Sequence, residues 1–326
     1  MHPVFYQEYL HLCIKNSDHP IKKKYNIVYK AIIILIALNF CVFYYTNAQP
    51  KKLEVTVAEI AADTRGKIGI YARVLESNET FEFNNNQHFV MQSVFKFPIA
   101  VMLLSEVDKG KFNLDQQVFI PKSKIKKTTS KLYEKYPEGN ISVPLREILE
   151  DMVLYSDNNA CDVILQLLKG PRALTRYLHG IGITDINVDF DEWGMQKKWN
   201  NQYQNWCTPQ AQVTLLKLVF EQKLLKSETN TLLRTLMRKT YVAPMRIRGL
   251  LPKGTLVEHR TGTSATNDSG LSPATNDVGT ITLANGKHLA IAIFLMDSYE
   301  NNEKRDLIIA KIAKAAVDEF SGVQAQ

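Results

Sequence analysis

The sequence predicts an α/β chain of the α+β kind. An antiparallel sheet, built from strands at both ends of the chain, is flanked by terminal helices and interrupted by an inserted all-helical subdomain. Three observations carry this. Strand-like apolar patterning is confined to residues 68–83 and 255–296, helical periodicity fills residues 95–239, and an amphipathic helix closes the chain from about residue 302.

The elements follow in order. Lys22-Lys23-Lys24 and Lys30 precede an apolar run from Ala31 to Tyr45, and Thr46-Asn47-Ala48 follows, the pattern of an export signal. The run has 15 residues, short of the roughly 20 that span a membrane. Cleavage near Ala48 and a periplasmic mature chain without stable membrane association are expected, an uncleaved anchor being the other reading. The predicted domain is then 49–326, with an α/β part at 49–90 and 242–326 and a helical part at 91–241. Leu53–Thr64 has helical spacing. Ile68, Ile70, Ala72 and Val74 alternate as in a strand with one buried face, Ser77–Thr80 breaks the pattern, and Phe81 and Phe83 resume it as a hairpin. Helical patterns run at 95–108, 144–155, 159–169, 171–180, 209–223 and 228–239. Strand character returns at 255–260, 277–283 and 288–296, and Ile308, Ile309, Ile312, Ala316 and Phe320 share one side of the closing helix.

Composition narrows the function. Lys and Arg number 40 against 33 Asp and Glu, but without residues 1–48 the counts fall to 35 against 31. That surplus, with no basic stripe interleaved with aromatics, gives no reason to expect a nucleic-acid partner. Only Cys161 and Cys207 lie beyond the leader; an exported chain could join them in one disulfide, and two buried free thiols are the more cautious reading. His88, His179, His259 and His288 lack metal-binding spacing, so no metal centre is predicted.

Three short motifs carry chemistry: Ser93-Val94-Phe95-Lys96, Ser156-Asp157-Asn158 and Arg260-Thr261-Gly262. A serine hydroxyl needs a neighbouring base to become a nucleophile, and Lys96, three residues on, shares its face at a helix start. A second hydroxyl can pass a proton to a leaving nitrogen, and an Asn amide can bind an amide carbonyl. A strand-end cation can attract a carboxylate, while Gly allows close approach. Taken singly, Ser93 and Ser156-Asp157-Asn158 read as helix caps, and Ser123 and Lys126 repeat the first spacing in a basic surface stretch. The conjunction, in one order and at element boundaries, is the serine acyl-transfer signature acylated by β-lactams.

From about Leu53 to the C-terminus the chain resembles a class A serine β-lactamase. It is most similar to the extended-spectrum branch of the PER and CfxA types through Ser156–Asp162, Tyr203–Trp206, Gly249–Pro252, His259–Ser264, Ala274–Asp277 and Met296–Glu300. The resemblance implies the β-lactamase/transpeptidase-like fold. It also implies hydrolysis of penicillins and cephalosporins, hence resistance, by a monomer without metal or organic cofactor. It makes Ser93 the acylated nucleophile, Lys96 a proton-transfer partner, Ser156 the donor to the lactam nitrogen and Glu192 the base for the deacylating water. Asn158 is expected to bind the substrate amide, Gln196 to stand where relatives carry an Asn that holds the water, and the backbone N–H groups of Ser93 and Thr263 to form the oxyanion hole. Thr261, Gly262, Thr263 and Ser264 line the strand edging the cleft. Arg260 replaces the usual Lys. Arg246 aligns with a second cation for the substrate carboxylate, although read alone it is a solvated Arg beside Arg248. The rival functions are a D,D-peptidase and a sensor domain that acylates and stalls.

Overall fold

The computed structural model describes residues 52–322, which form one compact unit with the sheet at its centre. The leader and cleavage expected at residues 1–48 lie outside the described residues. Helix α1 (Lys52–Ala62) leads into β1 (Lys67–Val74) and β2 (Thr80–Phe83), and the sheet is completed by β3 (Val257–Thr263), β4 (Ser272–Thr282) and β5 (His288–Ser298). The order is β2-β1-β5-β4-β3, antiparallel throughout, with Ile70 opposite Ile293 and Arg260 opposite Val278. Sequence-distant ends of the chain thus meet at the β1–β5 ladder.

Strand alternation splits the core in two. Ile68, Ile70, Ala72 and Val74 of β1 and Leu289, Ile291, Ile293 and Leu295 of β5 pack with Leu53, Val57, Ile308, Ile309 and Ile312 of the terminal helices. Ala290, Ala292 and Phe294 face the helical side, where Phe89, Phe97, Leu103, Ile148 and Ile164 gather. Fully burying such a side chain contributes about 1.5–3 kcal/mol. The sequence predicted one buried face for β1; both are covered, Tyr71 being only 5% exposed. Gly69 shows why, since a Cβ there would stand 2.2 Å from the Phe89 ring.

The main helices of the inserted region are α2 (Lys96–Asp108), α3 (Leu145–Leu154), α4 (Asn158–Leu167), α5 (Glu192–Lys197), α6 (Pro209–Phe220) and α7 (Ser227–Arg238), with the predicted helix at Pro171–Gly180 and shorter turns between. The region is not all-helical as expected: Gln117–Ile120 pairs with Ile141–Pro144, and Trp206–Cys207 pairs with both Phe89–Val90 and Ile186–Asn187. Their starts are capped as residue chemistry demands. Asp157 accepts from Ala160 N, Asp191 from Gly194 N and Thr208 from Ala211 N, with Pro209 at the first position. The closing helix α8 (Asn302–Ser321) is capped by Asn301 and stopped by Gly322 at φ 70°. No helix among the described residues is long and apolar enough to cross a membrane.

Cys161 and Cys207 are free and buried, and burial pushes both thiols up in pKa. A thiol reagent is therefore expected to leave both unmodified in the native protein and to label both after denaturation, as peptide mass mapping would show.

Candidate active site

The first motif starts one turn earlier than helical spacing predicts. Gln92–Phe95 forms a 3-10 turn and α2 begins only at Lys96. In such a turn side chains at i and i+3 eclipse, which brings Lys96 Nζ to 3.1 Å from Ser93 Oγ. Gln92, with φ 46°, carries the strain of this entry and is held by a 2.7 Å bond from its Nε2 to Gln202 Oε1.

Lys96 is the hub. Its fully buried Nζ also donates to Ser156 O at 2.7 Å, Ser156 Oγ at 3.2 Å and Asn158 Oδ1 at 2.6 Å, and meets Glu192 Oε1 at 2.7 Å. Ser93 Oγ donates to the same Glu192 oxygen at 3.5 Å. Five partners exceed the three N–H bonds of an ammonium, so the two hydroxyls share donors at longer range. Asn158 Oδ1 is engaged by Lys96, which turns its NH₂ toward Thr128 Oγ1 at 3.3 Å and the cleft.

The third motif lies inside β3 rather than at its end. Arg260 is 1% exposed. Its Nε donates to Ser93 O at 3.0 Å, its Nη1 to Val153 O at 3.1 Å and its Nη2 to Ser156 Oγ. Burial lowers its pKa to about 10, which keeps the cation at neutral pH. The guanidinium thus lies beneath the two serines and is not itself part of the cleft wall. The glycine approach is also specific, because a Cβ on Gly262 would lie 2.3 Å from Met91 O. It is the nucleophile turn, not a ligand, that comes close.

Two further expectations change. Arg246 is 4% exposed, not solvated, with Nε on Asp306 at 2.7 Å, Nη1 on Gly262 O and Asn276 O, and Nη2 on Thr263 Oγ1 at 2.7 Å. Ser264 Oγ is spent on the ladder, accepting from Ala274 N at 2.5 Å and donating to Ala274 O at 3.2 Å. Thr261, Thr263 and Ser264 line the cleft as expected, as does the exposed Gln196, four residues after Glu192. The cleft holds about 570 Å³, with Ser93, Ser156, Asn158, Glu192, Tyr155 and Trp199 among its walls. A larger groove of about 910 Å³ between α1 and α8 brings Lys52, Glu59, Lys311 and Asp318 together but contains no residue of the three motifs. Ser123 and Lys126 line a separate cavity, where Lys126 Nζ lies 5.1 Å from the Trp193 ring centre.

Several residues hold this site in place without a chemical role assigned to them from the sequence. Asp162 of α4 accepts Glu192 N at 2.7 Å and Trp193 N at 3.1 Å, fixing the start of α5 and with it the Glu192 side chain. Asn205 closes the loop around α5. Its Oδ1 accepts Asp189 N and Phe190 N, its Nδ2 donates to Phe190 O, and its carbonyl accepts Met91 N. Asp157 binds Ser130 Oγ and Leu132 N as well as its own helix.

Desolvation, followed by Asp191 and Glu192, raises the pKa of Asp162 from 3.8 to about 7. The folded state therefore holds a proton that the unfolded chain releases between those values, so this group's contribution falls as pH rises from about 4 to 7 and then levels. Thermal melts across that window are expected to give a more positive slope of stability against pH for Asp162→Asn than for the parent. Equal slopes would contradict the assignment.

A profile described as the beta-lactamase enzyme family matches residues 52–320. The chain is 39% identical over 293 residues to Beta-lactamase VEB-1 of Pseudomonas aeruginosa, covering 88% of this chain and 96% of that one. It is 36% identical over 295 residues to Extended-spectrum beta-lactamase PER-1 of the same organism, with 89% and 95% covered. The crystal structure of TLA-1 extended spectrum Beta-lactamase superposes with a TM-score of 0.81 at 38% identity, covering 82% of this chain and 98% of that one. A class A beta-lactamase from Bacteroides cellulosilyticus gives 0.80 at 32%, with 85% and 100% covered.

Proposed function

The chain belongs to the beta-lactamase enzyme family, and from that premise we propose how its own residues open and release a β-lactam ring. The activity is class A β-lactam hydrolysis, with antibiotic resistance as its consequence, on the transpeptidase-like fold. The observation that supports the site assignment best is the convergence on Lys96 Nζ of both hydroxyls, within 3.2 Å, and Glu192, at 2.7 Å.

Ser93 Oγ attacks the ring carbonyl as its proton passes to the Lys96–Glu192 pair. The carbonyl oxygen takes negative charge and is held by the backbone N–H groups of Ser93 and Thr263. The C–N bond then breaks, and the nitrogen receives a proton through Ser156, whose oxygen is linked to Lys96 and Arg260. The product of this half-reaction is an ester on Ser93. Water, oriented by Glu192 with Gln196 nearby, gives its proton to Glu192 and adds to the ester carbonyl. The ester C–O bond breaks, Ser93 recovers a proton, and the opened acid leaves.

Asn158 offers its NH₂ to the acylamino carbonyl. Thr261 and Thr263, backed by Gly262, Ser264, Arg246 and buried Arg260, shape the strand edge and draw the carboxylate. Activity toward oxyimino-cephalosporins, a single catalytic domain from residue 49, export to the periplasm after cleavage near Ala48 and a monomeric state complete the proposal.

Mixing the purified protein with excess chromogenic cephalosporin, followed by absorbance and intact mass, tests it. Many turnovers with the free mass restored are expected. One equivalent of colour with a lasting adduct on Ser93 would make the chain an acylating binder instead.

A further inference from the structure

Ser156 lies in the left-handed region, at φ 62°. Tyr155, directly before it, is a half-buried wall of the cleft. Tyr241 stacks on that ring with centroids 5.3 Å apart and planes inclined by 15°. The stack is anchored through the backbone, Tyr241 N donating to Leu154 O at 3.2 Å, and Lys131 Nζ stands 5.6 Å from the Tyr155 ring centre. Tyr241 itself is 67% exposed, and its neighbour Val242 lines the same cleft. A large aromatic ring left this open, and fixed against a cleft-wall tyrosine, presents a flat π surface that nothing in the catalytic sequence uses.

We propose that the Tyr155–Tyr241 stack is a specificity wall that binds planar aromatic substituents carried on the nitrogen side of the β-lactam. The inference rests on the proposed role of Ser156. If Ser156 delivers the proton to the lactam nitrogen, atoms attached on that side of the ring lie beside it. In a cephalosporin the nitrogen is bonded to the carboxylate-bearing carbon, whose double-bonded neighbour carries the 3-substituent. Consecutive Cα atoms are only about 3.8 Å apart, so the residue before Ser156 borders that substituent. The acylamino group leaves the ring on the other side of the carbonyl, toward Asn158. A tyrosine face prefers an offset or edge-on aromatic partner over an alkyl group of small area. The wall therefore discriminates by the 3-substituent and not by the acyl group.

Two cephalosporins sharing one acylamino group test this, one bearing a 3-methyl and the other a 3-dinitrostyryl substituent. The readout is the styryl-to-methyl ratio of kcat/KM. In Tyr241→Ala the ratio is expected to fall about three- to tenfold, mainly through a higher KM for the styryl substrate, the scale of one aromatic contact. Tyr241→Phe keeps the ring face and is expected to preserve the ratio. An unchanged ratio in Tyr241→Ala, or a parallel loss on both substrates, would overturn the proposal. Failure of the parent protein to turn over either substrate would instead overturn the reading of Ser156 on which it rests, and the wall with it.

Discussion

Replacing Glu192 by Ala is expected to arrest the enzyme as an acyl-ester on Ser93. The substitution removes the carboxylate 2.7 Å from Lys96 Nζ and 3.5 Å from Ser93 Oγ, yet leaves Lys96 3.1 Å from the nucleophile. Lys96 therefore stays within proton-transfer reach of Ser93, while the buried carboxylate assigned to the deacylating water is gone. General-base catalysis of this kind contributes about 10²–10⁴ in rate, so kcat should fall by about that factor while a burst of one equivalent persists. Intact mass after mixing gives the answer directly: a lasting adduct supports the division of labour. Undiminished turnover would show that another group handles the water, and loss of the burst would show that Glu192 is needed for acylation as well.

Arg260→Ala should be the most damaging change to stability. It leaves Ser93 O, Val153 O and Ser156 Oγ without their guanidinium donors in a space that is 1% exposed. It also opens a cavity under the nucleophile turn. Removing one member of a buried charged network costs on the order of 3–5 kcal/mol, readable from the midpoint of denaturant unfolding. Arg260→Lys keeps one cation but cannot reproduce a fork that reaches three oxygens on two elements. It should recover only part of the stability. Burial already lowers the Arg260 pKa to about 10, and the same burial acting on a lysine, which starts lower, should move the alkaline loss of kcat/KM to lower pH than in the parent. A lysine variant with the parent's pH profile would show that the burial acts weakly on that charge.

The positions of these groups divide between what a local pattern fixes and what only packing fixes. Helix and strand spacing and the three motifs are readable because their causes lie within a few residues. Side-chain period, turn geometry and the i, i+3 pairing of Ser93 with Lys96 are examples. The arrested start of α2 was less legible. An apolar run looks helical whether its first turn is 3-10 or α, and the choice follows from Gln92 being held by Gln202, 110 residues away. The covering of both faces of β1 likewise depends on Phe89 lying over Gly69.

The polar groups show the same limit more sharply. Arg246 read alone is a surface arginine, and only the fold supplies Asp306, Gly262, Asn276 and Thr263 around it. Asp162 and Asn205 lie in segments that carry the resemblance, but only the fold shows that one fixes the amides that begin α5 and the other ties its loop to Met91. A buried donor or acceptor must find a partner, but which partner depends on the element packed opposite. The sequence by itself determined the order of elements, the family and the reacting residue types. Tertiary structure alone decided which charges are buried, which hydroxyls remain free and what holds Glu192 in place, because those contacts join residues that chain spacing does not relate.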